Sequence, residues 1–186
     1  MSKPNFHLNA GLQKLNDWDF DLCQSCNDLS RNLPMRKVFN LISRLGDGVF
    51  WYMLMTVLLL SYQAEALPAV VHMLAVALVG TLLYKSIKRR TLRPRPFAVH
   101  PSIVCNGHTL DQFSFPSGHT MHAVSFSIVG VTYFPALIWI VALFTVLVAL
   151  SRPILGLHYP SDVVVGAFIG AALSITSLFI VGVNGV

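Results

Sequence analysis

Residues 112–151 contain no Asp, Glu, Lys or Arg, and this run constrains the chain more than any other feature. A bilayer core about 30 Å thick is matched by roughly 20 helical residues at about 1.5 Å rise each. The run is too long for one crossing and too apolar for a soluble surface. Pro135 follows Tyr133-Phe134 and lacks the N–H a helix interior needs, so the run reads as two membrane helices that turn back at Pro135. Composition agrees: the chain is 54% hydrophobic and 11% charged with a mean hydropathy of +0.63, whereas soluble domains carry roughly a quarter charged residues.

Residues 48–64 and 67–84 are also uncharged and form a second hairpin around Glu65 and Pro68. A last helix is expected over about 160–183, with Pro160 in its first turn. The predicted fold is all-α: an integral-membrane bundle of five transmembrane helices over residues 48–186, after N-terminal interfacial amphipathic helices within residues 1–47. In that N-terminal segment Leu12, Leu15, Trp18, Leu22, Leu29, Val38, Leu41 and Ile42 recur every three or four positions, and Pro34 is read as the divider of two helices. Asp17, Asp19 and Asp21 read as a solvated helix N-terminus rather than as metal ligands. Residues 1–16 are mixed polar without a signal-peptide core, so insertion is expected to rest on the internal spans. Between Arg93 and Phe115, Pro94, Pro96, Pro101, Asn106 and Gly107 predict a long non-helical loop.

Parity follows from the count. If five helices alternate in direction, Lys88, the stretch from Ser117 to His119, Arg152, and the pair His158 and Asp162 all fall at one membrane face. The thirteen Lys and Arg residues fall there too, and the opposite face receives Glu65. The positive-inside rule makes the clustered face cytoplasmic. The net charge of +5 comes without a basic stripe interleaved with aromatics, which argues against nucleic acid and for anionic lipid or a phosphorylated amphiphile as partner.

The clustered residues suit phosphoryl transfer, which needs cations and backbone donors for the equatorial oxygens, a nucleophile in line, and an acid for the leaving oxygen. Lys88, Arg95 and Arg152 can hold anionic oxygens. Ser117 and Gly118 open a helix, where free N–H groups favour an anion. His119 and His158 exchange protons near neutral pH. His158 and Asp162 are spaced i, i+4, so the carboxylate can bond one imidazole nitrogen and leave the other free to attack phosphorus. Each item alone has a plainer reading, since membrane arginines snorkel, Pro-Ser-Gly caps helices and lone histidines pack.

Taken together, Lys88 with Arg95-Pro96, Pro116-Ser117-Gly118-His119, and Ser151-Arg152 with His158 and Asp162 resemble the three-part signature of the type 2 phosphatidic acid phosphatase superfamily. The register chooses Arg95 over Arg93, because counting back seven residues from Arg95 reaches Lys88 and from Arg93 reaches Ser86. The resemblance implies a metal-independent, cofactor-free phosphatase of the bacterial cytoplasmic membrane, acting on a lipid phosphate monoester or pyrophosphate such as phosphatidylglycerophosphate, phosphatidate or polyprenyl pyrophosphate. It further implies His158 as nucleophile forming a phosphohistidine, Asp162 as its orienting partner and His119 as acid. Lys88, Arg95, Ser117, Gly118 and Arg152 would hold the phosphoryl group, which vanadate can replace. Many membrane members have six spans, whereas here the interfacial helices stand where a first span would be. A phosphotransferase and a non-catalytic binder of anionic lipid are the alternatives; a binder has no use for His158 with Asp162 in register behind it.

Other residues read more plainly. His122, one turn after His119, would complete a metal cluster only inside a cationic ring that repels divalent ions. Cys23 and Cys26 read as two small helix residues, because no second pair completes a zinc site. His72 reads as a packed histidine, and His100 and His108 as solvated loop residues. Phe113 and Phe115 line a lipid entrance or anchor the loop. Gly166 and Gly170 predict close helix packing within the chain.

Overall fold

The computed structural model describes residues 10–109 and 111–183. Residues 1–9, with Lys3, lie outside them, as does the Leu12 side chain, so part of the signal-peptide and N-terminal amphipathic readings falls there. Eight α-helices are present among the described residues: α1 (Ala10–Asp28), α2 (Leu33–Arg44), α3 (Phe50–Tyr62), α4 (Leu67–Thr91), α5 (Pro96–Val99), α6 (Gly118–Tyr133), α7 (Ile138–Ile154) and α8 (Pro160–Val181). Three helical runs are long and apolar enough to cross a membrane, Leu33–Thr91, Pro135–Ile154 and Pro160–Val181, and the first contains the α3–α4 return.

α6 lies at the centre, packed against α4, α7 and α8. Its pairings give helix directions. Ser127 Oγ meets Thr145 Oγ1 at 2.7 Å and accompanies an antiparallel α6–α7 pair, while His72 near the start of α4 reaches Tyr133 at the end of α6 at 3.1 Å. α8 instead runs parallel to α6, because Ser117 N donates to Asp162 O at 3.0 Å and Ser125 Oγ to Gly170 O at 3.1 Å. The ends of α4 and α7 and the starts of α6 and α8 therefore share one face.

Close approach of α6 and α8 requires glycine. A Cβ on Gly166 would sit 2.5 Å from Ser117 O, and one on Gly170 would overlap Met121 O. The small-residue stripe is used within the chain, as expected. The interior behind it is Trp51 and Met55 of α3, Met73 and Val76 of α4, Phe126 and Val129 of α6, and Val141, Phe144 and Val148 of α7. The outside is greasy: Trp139 is 82% exposed, Ile180 80% and Phe179 79%, a surface suited to acyl chains rather than water.

Three local expectations are corrected. The N-terminal helices part at Leu29–Arg31 and Asn32, and Asn32 caps α2 by accepting from Met35 N at 3.4 Å. Pro34 sits in the first turn of α2, where its missing N–H leaves no bond unmade. The Pro-rich loop is not wholly irregular, since Pro96 starts the single turn α5. Asp19 is not solvated: it is 3% exposed in the body of α1, which packs on α7 and α8.

His72 is packed between Tyr133 and Ser177. Cys23 is buried and Cys26 half-buried, both as free thiols on α1. Burial pushes the Cys23 thiol up to about 12, which leaves it protonated and unreactive.

Candidate active site

The shared face holds a cavity of 240 Å³ lined by Lys88, Arg95, Gly118, His119, Arg152 and His158, with Asp47, Asp111, Tyr84 and His122 among its other walls. Each side chain arrives by a local rule. Lys88 occupies the last turn of α4, where a cation favours the helix C-terminus. Arg95 caps α5 just after the chain reverses at Leu92, in the left-handed region with φ 49°. Ser117 caps α6, its Oγ accepting from Thr120 N at 3.5 Å, which presents Gly118 and His119 at the helix start. Arg152 sits in the last turn of α7, 1% exposed, held by Ser151 Oγ at 3.0 Å from Nε and by Ser43 Oγ of α2.

His158 is carried by the tight turn between α7 and α8. Gly156 makes that turn with φ +72°, and a Cβ there would lie 2.7 Å from Val104 O. Asn27 of α1 pins the same turn, donating to Ile154 O and Val104 O, both at 3.0 Å, while accepting from Val104 N at 2.9 Å. The imidazole is 2% exposed. Its Nε2 lies 3.5 Å from Arg95 Nη1, on the side of the cations that line the cavity. Burial, reinforced by Arg95 and Lys88 and opposed by Asp162, pushes its pKa down to about 3. The ring is neutral at physiological pH, as a nitrogen nucleophile must be.

The contact with Asp162 is looser than the i, i+4 spacing predicts. His158 Nδ1 and Asp162 Oδ2 are 3.7 Å apart, beyond hydrogen-bond range, and Nδ1 is buried without a partner among the described residues. Asp162 instead accepts from Tyr159 N at 2.9 Å and from Arg93 Nη1 at 2.7 Å. The helix-cap role of this carboxylate competes with its role toward the imidazole.

Three acids join the site that sequence reasoning did not assign to it. Asp111, from the Pro-rich loop, receives Lys88 Nζ at 2.8 Å on both oxygens and Arg95 Nη2 at 2.9 Å. Burial would raise its carboxyl, but bonds and charges from Lys88 and Arg95 outweigh that and hold it below its ordinary value. Asp47 contacts His119 Nε2, and Asp19 pairs with Arg93 Nη2 at 2.6 Å. Asp47 did carry a signal, two flanking glycines just before an apolar run.

The loop residues divide. His108 is exposed at the cavity wall. His100 is only partly solvated: it is half-buried with its ring tilted 32° against Phe20, centroids 4.1 Å apart. Phe113 O accepts from Lys88 Nζ at 2.9 Å and Phe115 O from Thr91 Oγ1 at 3.3 Å, so their backbone ties the loop to the end of α4.

This arrangement surrounds one small volume with three cations, a helix start and four imidazoles. A family model described as the PAP2 superfamily matches residues 68–184, well over half the chain. The chain belongs to the PAP2 superfamily. Two crystal structures resemble this PAP2 chain across nearly its full length, each with 26% identity and a TM-score of 0.73. One is the PAP2-type phosphatidylglycerolphosphate phosphatase of Bacillus subtilis, matched over 95% of this chain and 88% of that one. The other is Aquifex aeolicus LpxE, matched over 96% and 99%. Among curated proteins, the decaprenylphosphoryl-5-phosphoribose phosphatase of Mycobacterium tuberculosis is 38% identical over 99 residues, 52% of each chain. The undecaprenyl-diphosphatase of Sulfolobus acidocaldarius is 33% identical over 88 residues, 47% of this chain and 42% of its own. The chain thus spans about half the length of the curated relatives it matches.

Proposed function

We propose that this PAP2 chain is a metal-independent phosphatase of a membrane lipid, cleaving a phosphate monoester or pyrophosphate through a phosphohistidine on His158. The observation that carries the reading is a neutral, buried imidazole with Nε2 toward the cations that line the cavity and a carboxylate behind Nδ1. Lys88, Arg95, Arg152 and the start of α6 at Ser117 and Gly118 hold the phosphoryl oxygens. Nε2 attacks phosphorus; the N–P bond forms as the P–O bond breaks, and His119 gives its proton to the departing oxygen. Asp162 steadies the cationic phosphoimidazole through the Nδ1 proton. His119 then takes a proton from water, which attacks phosphorus and releases phosphate as the N–P bond breaks.

The exposed apolar flanks of α7 and α8 leave a lipid tail in the bilayer while its head enters the cavity. The two curated relatives carry polyprenyl groups in their names, so a polyprenyl-linked phosphate or pyrophosphate is favoured over phosphatidylglycerophosphate and phosphatidate. The clustering of bases at this face favours a cytoplasmic orientation in a bacterial membrane.

Phosphate release from a panel of these four lipid classes, with wild type and His158→Ala, tests the reading, together with alkaline-quenched trapping of acid-labile, base-stable phosphoenzyme. Wild type is expected to release phosphate and to label; His158→Ala is expected to do neither. Undiminished release by His158→Ala would overturn the mechanism, and release that falls as an acceptor alcohol is added would favour the phosphotransferase.

A further inference from the structure

Arg93 is the basic residue that the motif register passes over, yet it makes the most charge-paired contacts near the nucleophile. The left-handed Leu92 reverses the chain after α4, and Ser114 N donates to Arg93 O at 2.8 Å, so the Arg93 backbone is anchored. Its guanidinium lies 4.1 Å over the Tyr159 ring. Nη1 donates to Asp162 Oδ1 and Ser161 Oγ, both at 2.7 Å, and Nη2 donates to Asp19 Oδ2 at 2.6 Å. Asp19 closes the ring, accepting from Ser161 N at 2.9 Å and from the Ser161 hydroxyl. Asp19 and Asp162 side chains are 4% and 0% exposed, and a planar fork between two buried carboxylates is geometry that only arginine supplies.

We infer that Arg93 and Asp19 are positioning residues for the reaction: through Asp162 they set the orientation and the share of negative charge that the carboxylate offers to His158 Nδ1. The inference rests on the phosphatase reading above for its catalytic consequence, though not for its structural one. With Oδ1 tied to Arg93, Oδ2 is the oxygen nearest Nδ1, at 3.7 Å, and it also accepts from Tyr159 N at 2.9 Å, so both oxygens have fixed partners that set the carboxylate's orientation. Asp19 in turn draws part of the Arg93 charge away from Asp162. Helix α1, outside the family match, thereby contributes a support to the nucleophile.

Other groups bear on His158 as well. Arg95 and Lys88 face it across the cavity with Asp111 between them, and the Cys23 thiol donates to its carbonyl at 3.7 Å. None of these contacts Asp162 directly, so altering Arg93 or Asp19 isolates the carboxylate. Without Arg93, Asp162 has no cation but His158 to neutralise it, and the imidazole becomes easier to protonate. Without the Asp19 charge, Arg93 belongs to Asp162 alone, and the imidazole becomes harder to protonate.

The test uses the full chain in detergent micelles with 15N-labelled histidine, the His158 resonances being assigned by their loss in His158→Gln. Between pH 4 and 8, wild-type and Asp19→Asn His158 are expected to stay neutral, whereas Arg93→Ala raises the protonation midpoint by about one to three pH units. With a polyprenyl pyrophosphate in mixed micelles, the favoured substrate class, Arg93→Ala is expected to lower kcat about tenfold, far less than loss of an orienting carboxylate does, with KM within about twofold. Arg93→Lys keeps one charge but not the fork, and it should restore part of kcat. A midpoint unmoved by Arg93→Ala, or raised equally by Asp19→Asn as a loosened α1 would raise it, overturns the inference. Absence of phosphate release by wild type defeats the phosphatase reading alone, because the imidazole titration still judges the clamp.

Discussion

Replacing Asp111 by Asn should tighten binding of a phosphate analogue. The Asp111 carboxylate holds two of the cations assigned to the phosphoryl group, Lys88 at 2.8 Å and Arg95 at 2.9 Å. An incoming anion must displace it. Hydrogen bonds between charged groups contribute about 1.5–3 kcal/mol each, and the Asp111 side chain is 33% exposed, so water screens part of that. About 2–3 kcal/mol for the pair is a reasonable net figure after screening, which corresponds to roughly 30- to 150-fold in affinity. Asn keeps the shape and one acceptor oxygen but not the charge, so most of the competition disappears. Orthovanadate titrated calorimetrically into wild type and Asp111→Asn at pH 7.5 reads this directly, without dependence on turnover. Since Lys88 and Arg95 hold the Asp111 carboxyl below its ordinary value, the wild-type disadvantage should persist unchanged from pH 8 down to about 5. Equal or weaker vanadate binding by the variant would refute the competition and make Asp111 a positioner of the two cations instead.

Further outcomes follow from the same geometry. Gly170→Ala forces a methyl into Met121 O, so α6 and α8 must separate; the thermal midpoint should fall by several degrees, and a variant as stable as wild type would contradict the parallel pair. His158 has a folded pKa of about 3, well below its unfolded value of about 6.5, so its contribution to stability is complete above about pH 6.5 and is lost as pH falls toward 3. The loss in stability between pH 7 and 5 should be about 2 kcal/mol smaller in His158→Gln than in wild type, and an identical pH dependence of thermal unfolding would contradict the buried neutral imidazole. Cys105 is exposed and Cys23 buried, so a membrane-impermeant thiol reagent should label Cys105 only when it reaches the cytoplasmic face; labelling from outside intact cells would reverse the orientation.

What could be read before the structure was whatever the chain encodes by period or spacing. Pro135 and Pro160 announce helix ends because proline lacks a donor, and both stand where α6 turns to α7 and where α8 begins. Alternation of direction then follows from counting, which is why Lys88, His119, Arg152 and His158 meet. Asp19 and Asp111 were not legible, because nothing local distinguishes a solvated acid from one that finds a distant cation; Asp47 alone carried a local mark, the glycines on either side of it. Asp19 lies 74 positions from Arg93, and its burial depends on how α1 lies across α7 and α8, a packing decision made by Cys23, Ile103 and Tyr159. The His158–Asp162 spacing was legible as proximity, yet the sequence held no sign that Tyr159 N and Arg93 would claim the same carboxylate.

The four acids around this site differ in one property that orders their roles. Asp162 and Asp19 are 0% and 4% exposed, locked by Arg93, and breaking either pair would strand an uncompensated charge in the interior, a change that costs about 3–5 kcal/mol. Asp111 and Asp47 are 33% and 31% exposed at the cavity, each on a group that the proposed reaction needs free, Lys88 with Arg95 and His119 respectively. Water can take over a partly exposed carboxylate, so these two can leave when a phosphate arrives. A cationic cavity beside a bilayer must be neutralised when empty, because clustered like charges in a medium of low dielectric repel strongly. Exchangeable acids at the cavity wall meet that need without blocking the site, while the fixed acids Asp162 and Asp19 sit behind the proposed nucleophile.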